Sequence, residues 1–583
     1  MIRPFSTICV IGLGTTGSAL AALLAAHGYR VDGVECDAHS LLRGRSAVAA
    51  AIDALGLPDA AEVEALRRVN LTTSTSLFSR ADLVIEAVPE QLPQKVEVLR
   101  QADSLCPAAT VFATTTTALP VTEIASRSGR MTRTVGLHLC HPGQLSDGSV
   151  VEVVLPPVTD HRVRSEIDNL VRSLGKSPVA VADHPGLLGA GLYLGYLNSA
   201  AAMYAQAYAS RDDIDAALIH GCGLRVGPLT QLDVMGLDVV LDSLRVLAER
   251  TGDEWYAPAG ILSRMVDAGL LGRKSGRGFY QYDNDEDPPR EPDDGATARQ
   301  VTKVGVVGAG TMAAGIAEVF ARAGYPTAVA ARTDERATTT LSTVEKSLSR
   351  AVHRGKLVGE DMDRAMARLS GAGELGALHD CDLVIEAVTE ELTVKRSVFA
   401  ELDKLTRSGT VLATTTSSLP VLQIATATAR PEDVVAMHFF NPAPVMKLVE
   451  VAHTPLTSDD VVATALAVTR SLGRCPVRCG DRTGFIVNAL LFPYLNRAVN
   501  LAQRLHVGLD VVDSVMTGAY GHPVGPFQLL DMVGLDVSLA IQERLHETCH
   551  DPGLAPAEYL SDFVAAGYLG RKSGRGFRVH QPA

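Results

Sequence analysis

The chain has 583 residues, of which 46% are hydrophobic and 20% are charged, so it has the composition of a globular protein with room for about four domains. The formal net charge of −13 argues against a nucleic-acid partner, because a phosphate backbone would be repelled. The nine cysteines follow neither a CxxC nor a Cys/His metal spacing, so we expect reduced thiols and no metal site.

The start of the chain shows none of the regions of a signal peptide, which predicts a cytoplasmic protein. The longest apolar run, around Leu187 to Leu197, is shorter than the ~20 residues of a membrane helix. That run therefore predicts a buried helix, and no membrane contact is expected.

A strand, a glycine turn and a helix open the chain. Residues 7–11 form a short apolar run of the β type, and after the turn an alanine- and leucine-rich segment continues as a helix. This order is typical of a dinucleotide-binding domain, in which the turn holds the pyrophosphate. The glycines predicted to do so are Gly12, Gly14 and Gly17. The next strand, 30–34, ends in Glu35, where an acid commonly binds a ribose 2′-hydroxyl, so this half is predicted to take NAD(H).

The rest of the first half separates into two regions. Further strands are predicted near 82–88, 110–114, 134–139 and 150–154, and from about residue 183 helices are predicted over 186–209, 212–221, 227–250 and 257–270. The fold class is therefore α/β plus all-α, with a Rossmann-type domain and its parallel sheet over residues 1–182 and a helical domain over 183–280. Residues 281–300 are rich in acid and proline, which predicts a solvated linker.

The second half of the chain repeats the first. Gly12 and Gly14 recur as Gly308 and Gly310, and the run from Leu271 to Phe279 reappears intact as Leu569 to Phe577. This period is far too long for a solenoid, so the chain is predicted to be a fusion of two whole subunits. The second Rossmann-type domain is expected over 301–480 and the second helical domain over 481–583.

The second glycine turn consists of Gly308, Gly310 and Ala313, and its acid position differs from that of the first half. The position equivalent to Glu35 is Ala331, which Arg332 follows. Loss of the carboxylate removes the repulsion of a 2′-phosphate, and a guanidinium could pair with that phosphate. The second half is therefore predicted to prefer NADP(H). The alternative is a site that does not distinguish NAD(H) from NADP(H), with Arg332 as an ordinary surface residue.

Several polar motifs follow in the second half. Ser417 lies in a threonine- and serine-rich run, His438 opens a His-Phe-Phe-Asn-Pro run, Glu450 lies in Val-Glu-Val, and Asn488 follows Phe-Ile-Val. Together with the glycine turn, these segments resemble the L-3-hydroxyacyl-CoA dehydrogenase family over essentially the whole chain, twice. The resemblance implies oxidation of a 3-hydroxyacyl thioester, or reduction of the 3-keto form, in a cleft between a Rossmann domain and a helical domain.

Oxidation of a secondary alcohol needs a base, and the imidazole pKa near the working pH makes His438 the candidate. Glu450 would hold the imidazole tautomer, while Ser417 and Asn488 would hold the substrate oxygen and the thioester carbonyl. The resemblance also places two pairs near the cofactor, Glu90 with Lys95 and Glu390 with Lys395. In an alternative interpretation, Lys395 faces the phosphates of coenzyme A.

The first half keeps fewer of these polar residues. It retains His138 and Glu152, but Thr117 replaces the serine and Ala190 replaces the asparagine. His141 stands in place of Asn441, and the following loop, 143–149, is two residues longer. We expect a degenerate, noncatalytic first half that keeps its cofactor turn and supports the second. The alternative is a site for another substrate with His141 in a new role.

The sequence therefore predicts an enzyme that interconverts 3-ketoacyl and L-3-hydroxyacyl thioesters of coenzyme A with NAD(H) or NADP(H). One alternative is a dehydrogenase of a carrier-protein-bound or small free 3-hydroxy acid in biosynthesis, and another is a noncatalytic protein that binds nucleotide or acyl-CoA. In the family that the chain resembles, the helical domains commonly pair subunits, so the tandem is expected to form an intramolecular pseudo-dimer, with further homo-oligomers open.

Overall fold

The computed structural model describes residues 4–139, 149–282 and 296–581. The strands of the first half are β1 Thr7–Ile11, β2 Arg30–Val34, β3 Val69–Thr72, β4 Leu83–Glu86, β5 Val111–Thr114, β6 Thr134–His138, β7 Val150–Val154 and β8 Ser177–Val181. Its helices are α1 Thr15–Ala26, α2 Ala38–Asp53, α3 Asp59–Arg68, α4 Leu92–Leu105, α5 Val121–Ser128, α6 His161–Ser173, α7 Gly189–Ala205, α8 Arg211–Cys222, α9 Pro228–Met235, α10 Leu237–Thr251 and α11 Gly260–Asp267.

The second half repeats this order of elements. Its strands are β9 Val304–Val307, β10 Thr327–Ala330, β11 Leu369–Ala372, β12 Leu383–Glu386, β13 Val411–Thr414, β14 Val434–Phe439, β15 Leu448–His453 and β16 Cys475–Gly480. Its helices are α12 Thr311–Ala323, α13 Asp334–His353, α14 Gly359–Met366, α15 Leu392–Leu405, α16 Val421–Ala425, α17 Asp459–Ser471, α18 Val487–Leu505, α19 Leu509–Gly518, α20 Pro526–Val533, α21 Leu535–Cys549 and α22 Glu558–Ala565.

Each half contains one eight-stranded sheet with the strand order β3-β2-β1-β4-β5-β6-β7-β8, or its equivalent. The central strands are buried along their whole length, because helices cover both faces of the sheet. The predicted parallel sheet needs one correction, since β7 runs antiparallel to β6 and β15 runs antiparallel to β14. Because of this reversal, the strand that carries the glutamate runs back beside the strand that carries the histidine.

Two further predictions about elements were incomplete. The strands β3 and β8 were not predicted, because they are short and half-exposed and so lack an apolar run. The single helix predicted over 227–250 is divided at Gly236, whose φ of 93° is incompatible with a continuous helix. The structure therefore has two helices, α9 and α10, where the apolar period indicated one.

The two helical domains pack against each other and share one hydrophobic core, in which α7 and α18 lie side by side. The helices also cross between the halves: α8 of the first half packs on β15 and β16, and α19 of the second half packs on β7. The Tyr208 hydroxyl donates a 2.8 Å hydrogen bond to the carbonyl of Gly480 at this crossed contact. Each sheet is thus supported by a helix from the other half.

Aromatic side chains fill the centre of the shared core. The His522 ring lies 5.4 Å from that of Tyr494, 6.0 Å from that of Tyr193 and 6.3 Å from that of Tyr196. Among the described residues, none forms a hydrogen bond with the buried Nε2 of His522. Burial lowers the pKa of His522 from 6.5 to about 4, because the charged imidazole would lose its hydration.

We expect this histidine to make the helical core sensitive to acid. His522 stays neutral in the folded chain but takes up a proton below pH 6.5 when unfolded, so stability falls as the pH drops from 6.5 towards 4. The loss between pH 7 and pH 5 should be about 2 kcal/mol. His522→Leu, which inserts the residue of the equivalent position Leu224, should lack this component in urea unfolding at the two pH values. Equal pH dependence of both proteins would contradict it.

Candidate functional site

The central feature of the second half is a histidine–carboxylate pair. The antiparallel register of β14 and β15 places His438 directly opposite Glu450. Their side chains are almost fully buried, and Nδ1 of the imidazole lies 2.7 Å from Oε2 of the carboxylate. Because a carboxylate only accepts hydrogen bonds, Nδ1 carries the proton and Nε2 is the nitrogen left for a ligand.

The first turn of α18 fixes the carboxylate. The backbone N–H groups of Ile486 and Val487 donate to Oε1 of Glu450 at 3.0 and 2.8 Å. These donors and the helix N-terminus stabilise the negative charge, so the pair can hold an imidazolium once His438 takes up a proton. The imidazole also packs against two phenyl rings, with ring centroids 4.6 Å from Phe440 and 5.7 Å from Phe485.

Asn488 follows immediately in the same helix turn. Its side chain is only 7% exposed. Within the parts of the chain that the structure describes, no residue forms a hydrogen bond with its amide. The amide atoms are not among the fully buried ones, so a ligand can reach them. The position therefore suits an amide that binds a polar atom of a substrate.

Ser417 is held by Glu390, which the sequence assigned to the cofactor. The carboxylate accepts hydrogen bonds from the backbone N–H of Ser417 at 2.8 Å, from its hydroxyl at 3.1 Å and from the hydroxyl of Thr416 at 2.7 Å. Burial opposes its ionisation, but Lys395 and these hydrogen bonds outweigh burial and hold the pKa of Glu390 below its usual value. Glu390 is thus an anion that orders the serine loop. Glu90 has the same role, accepting from the N–H groups of residues 117–119.

Lys395 is buried at 1% exposure and its Nζ lies 2.8 Å from Glu386 and 3.4 Å from Glu390. Lys95 is equally buried and pairs with Glu86 at 2.9 Å. This placement excludes Lys395 from facing the phosphates of coenzyme A, because its ammonium is enclosed in the ion pair. Its partner Glu386 was not predicted from the sequence, although Val-Ile-Glu-Ala-Val is repeated in both halves.

The glycine turns leave room for a dinucleotide. A Cβ at Gly308 would lie 2.5 Å from the carbonyl of Ala387, and its φ of 139° also favours glycine. A Cβ at Gly310 or Gly14 would meet nothing within 4 Å, so open space lies over the first turns of α12 and α1. Neither helix has a side-chain cap, which leaves its first N–H groups available to a pyrophosphate. The remaining turn residues, Gly17 and Ala313, are small and pack at the helix starts.

The acid position differs between the two turns. In the first half, Oε1 of Glu35 accepts a 2.5 Å hydrogen bond from the backbone N–H of Leu13, so the carboxylate closes on the glycine turn. Ala331 takes the equivalent place in the second half. Its backbone N–H donates a hydrogen bond to a carbonyl of β11, just as the backbone N–H of Glu35 donates to a carbonyl of β3. Arg332, the next residue, is exposed.

The histidine and carboxylate of the first half have a different neighbour. Oε1 of Glu152 accepts from the backbone N–H groups of Leu188 and Gly189 at 3.0 and 2.9 Å, as in the second half. Its Oε2, however, accepts from the hydroxyl of Tyr520 at 3.2 Å, and that hydroxyl lies 3.4 Å from Nε2 of His138. Burial lowers the pKa of His138 despite the nearby Glu152.

Tyr520 was not predicted from the sequence, because no local pattern connects it with a histidine 382 residues away. Thr117 and Ala190 take the places of Ser417 and Asn488 in the turn and helix described above. His141 lies outside the described residues, as does most of the longer loop that follows it.

The described residues give no sign of two other kinds of site. Among them, no three His, Cys, Asp or Glu side chains converge on a point that could hold a metal ion. No described helix has both the length and the apolar character that a membrane crossing requires.

Comparison with known proteins gives matches to both halves. The 3-hydroxyacyl-CoA dehydrogenase NAD binding domain matches residues 7–184 and 303–482, and the C-terminal domain of the same family matches residues 186–282 and 484–580. A 3-hydroxybutyryl-CoA dehydrogenase of Mycobacterium tuberculosis is 43% identical over 282 residues, which are 48% of this chain and 99% of that protein. The mitochondrial hydroxyacyl-coenzyme A dehydrogenase of Homo sapiens is 38% identical over 284 residues, which are 48% of this chain and 90% of that protein.

One solved structure is similar along nearly the whole chain. The crystal structure of 3-hydroxybutyryl-CoA dehydrogenase from Escherichia coli K12 aligns with 97% of this chain and covers 99% of its own, with a TM-score of 0.63. The sequence identity is 21%, so this similarity concerns the fold. It extends over both halves.

Proposed function

The chain belongs to the 3-hydroxyacyl-CoA dehydrogenase family, of which it contains both domains twice, and from this premise we propose that it interconverts 3-ketoacyl-CoA and L-3-hydroxyacyl-CoA. We further propose that turnover takes place in the second half. The observation that carries this assignment is the 2.7 Å contact between His438 and Glu450, beside the unpaired amide of Asn488.

The chemistry of the second half follows from the placement of its side chains. A nicotinamide dinucleotide, when bound, supplies the hydride acceptor for oxidation and the hydride donor for reduction. In oxidation, Nε2 of His438 takes the proton of the substrate hydroxyl, and Glu450 stabilises the resulting imidazolium through Nδ1. In reduction the same nitrogen returns the proton to the carbonyl oxygen.

Two neutral donors complete the proposed site. The Ser417 hydroxyl would turn its hydrogen from Glu390 to the substrate oxygen, and the Asn488 amide would donate to the thioester carbonyl. Glu390 keeps the serine loop in position through the hydrogen bonds described above. The first half has a methyl group at Ala190 in place of this amide and a tyrosine hydroxyl between its histidine and carboxylate, which supports a noncatalytic first half.

Coenzyme A is the thioester partner that the relatives favour, since those named above are dehydrogenases of CoA thioesters. An enzyme for a carrier-protein-bound or a small free 3-hydroxy acid is a second candidate. It would turn over a substrate without coenzyme A at least as well as acetoacetyl-CoA.

The direct test is steady-state reduction of acetoacetyl-CoA, followed at the nicotinamide absorbance, with NADH and NADPH compared in parallel. Turnover with either dinucleotide supports the proposal. Dinucleotide binding without turnover of any 3-ketoacyl substrate would contradict it and favour a binding protein.

We propose that the second half prefers NADP(H), because Ala331 removes a carboxylate and Arg332 is exposed beside the ribose position. A guanidinium–phosphate pair is worth about 1.5–3 kcal/mol, so Arg332→Ala should raise KM for NADPH about 10-fold or more and leave KM for NADH within about twofold. Arg354→Ala, which removes another exposed arginine at the far end of α13, is the matched control. An equal effect of Arg332→Ala on both dinucleotides would show that the arginine does not read the 2′-phosphate.

A further inference from the structure

We propose that Tyr520, a residue of the second half, closes the first half's site to substrate by holding, with its hydroxyl, the His138 nitrogen that a substrate oxygen would need. This inference rests on the function proposed above. It assigns a role to a contact between the two halves that neither half could make alone.

The position of the phenol hydroxyl is the first argument. In the second half, Nε2 of His438 is the nitrogen left for a ligand, because Nδ1 bonds to Glu450. In the first half, the Tyr520 hydroxyl lies 3.4 Å from that same nitrogen of His138 and donates to the neighbouring carboxylate, Glu152, at 3.2 Å. The hydroxyl thus holds the ring nitrogen that a carbinol oxygen would need.

The surroundings of Tyr520 are the second argument. The side chain is 6% exposed, and its ring lies 4.7 Å from that of Tyr193 on α7. Because the ring is enclosed on this side by the shared helical core, it does not swing freely into solvent. A substrate would have to displace a packed aromatic side chain together with its hydrogen bond.

The two sites also differ reciprocally in the size of two residues. A Cβ at Gly189 would lie only 2.3 Å from Cε2 of Tyr520, so the tyrosine needs a glycine at this position. The equivalent residues in the second half are Val487, in place of the glycine, and Cys222, in place of the tyrosine. In the first site the larger residue is Tyr520, which comes from the opposite half. In the second site the larger residue is Val487, which belongs to the helix of the same half.

Cys222 leaves the second site open by its size and its charge state. Burial and the nearby Glu450 carboxylate raise the pKa of the Cys222 thiol to about 12, so it stays neutral at physiological pH. A neutral thiol is much smaller than a phenol, and among the described residues Cys222 forms no hydrogen bond with Glu450. The pair of positions 222 and 520 therefore distinguishes an open site from a closed one.

The experiment counts the acetoacetyl-CoA molecules that bind per chain, by calorimetry in the presence of saturating NAD⁺ and NADP⁺, a combination that cannot turn over. Ala190→Asn restores the missing amide of the first site, and Ala190→Asn/Tyr520→Cys also removes the tyrosine. We expect one molecule per chain for the wild type and for Ala190→Asn, and two for the double variant.

Each other outcome is distinct. Two molecules bound by Ala190→Asn alone, or one bound by the double variant while its second-half turnover is normal, would overturn the role of Tyr520. Normal turnover also shows that the variant is folded. Zero molecules bound by the wild type would instead contradict the function proposed for the second half.

Discussion

Replacement of His438 by glutamine is expected to lower kcat for acetoacetyl-CoA reduction by about 10³-fold, because general acid–base catalysis by a positioned side chain contributes about 10²–10⁴. Glutamine keeps a polar side chain of similar reach but cannot exchange a proton. KM should change little, since the imidazole acts mainly in the transition state. Steady-state kinetics with the preferred dinucleotide measure both constants.

His138→Gln is the matched control for this prediction. It makes the same change in the equivalent strand, beside Glu152 and Tyr520. Since the hydroxyl of Tyr520 lies against this imidazole, kcat should stay within about twofold of the wild type. A large loss in His138→Gln together with a small loss in His438→Gln would mean that catalysis takes place in the first half.

The crossed packing gives a physical reason to keep a half that does not turn over. Helix α8 of the first half lies on β15, the strand that carries Glu450, and on β16. A carboxylate of this helix, Asp213, accepts a 3.1 Å hydrogen bond from the backbone N–H of Arg478, and Tyr208 bonds to Gly480 beyond it. The first half therefore supports the strands behind the catalytic pair, whether or not its own site binds substrate.

Much of the fold could be predicted because local sequence patterns determine its elements. The strand, glycine turn and helix at Gly12 and again at Gly308 follow from neighbouring residues, and the repeat doubles the evidence. Local patterns also predict His438 and Glu450, which lie only twelve residues apart in the chain and pair between two antiparallel strands.

The remainder depended on contacts that no local pattern encodes. The enclosure of Lys395 by Glu386 requires the end of β12 to meet the first turn of α15. Tyr520 reaches His138 only because the second half's helices lie on the first half's sheet. Both are tertiary contacts whose register cannot be read from hydrophobic period or from motif spacing.

Asn488→Ala is expected to lower kcat/KM for acetoacetyl-CoA by about 10²-fold, because loss of one oxyanion donor in a water-excluded site costs about 10²–10³ in rate. The residue is the second of α18 and follows the two N–H groups that hold Glu450, so truncation of its side chain leaves the catalytic pair in place. The loss should therefore come from substrate oxygen binding and not from a displaced histidine.

Thr117→Ala tests the same reasoning in the other half. It removes a hydroxyl from the serine position of the first site, and kcat/KM should remain within about twofold of the wild type if that site does not turn over. Since Ala190 already lacks the amide there, the first half cannot provide both donors that a substrate's two oxygens require. A loss in Thr117→Ala that matched the loss in Asn488→Ala would show that the two halves share the reaction, whereas a loss confined to Asn488→Ala would place the oxygen-binding groups in the second half.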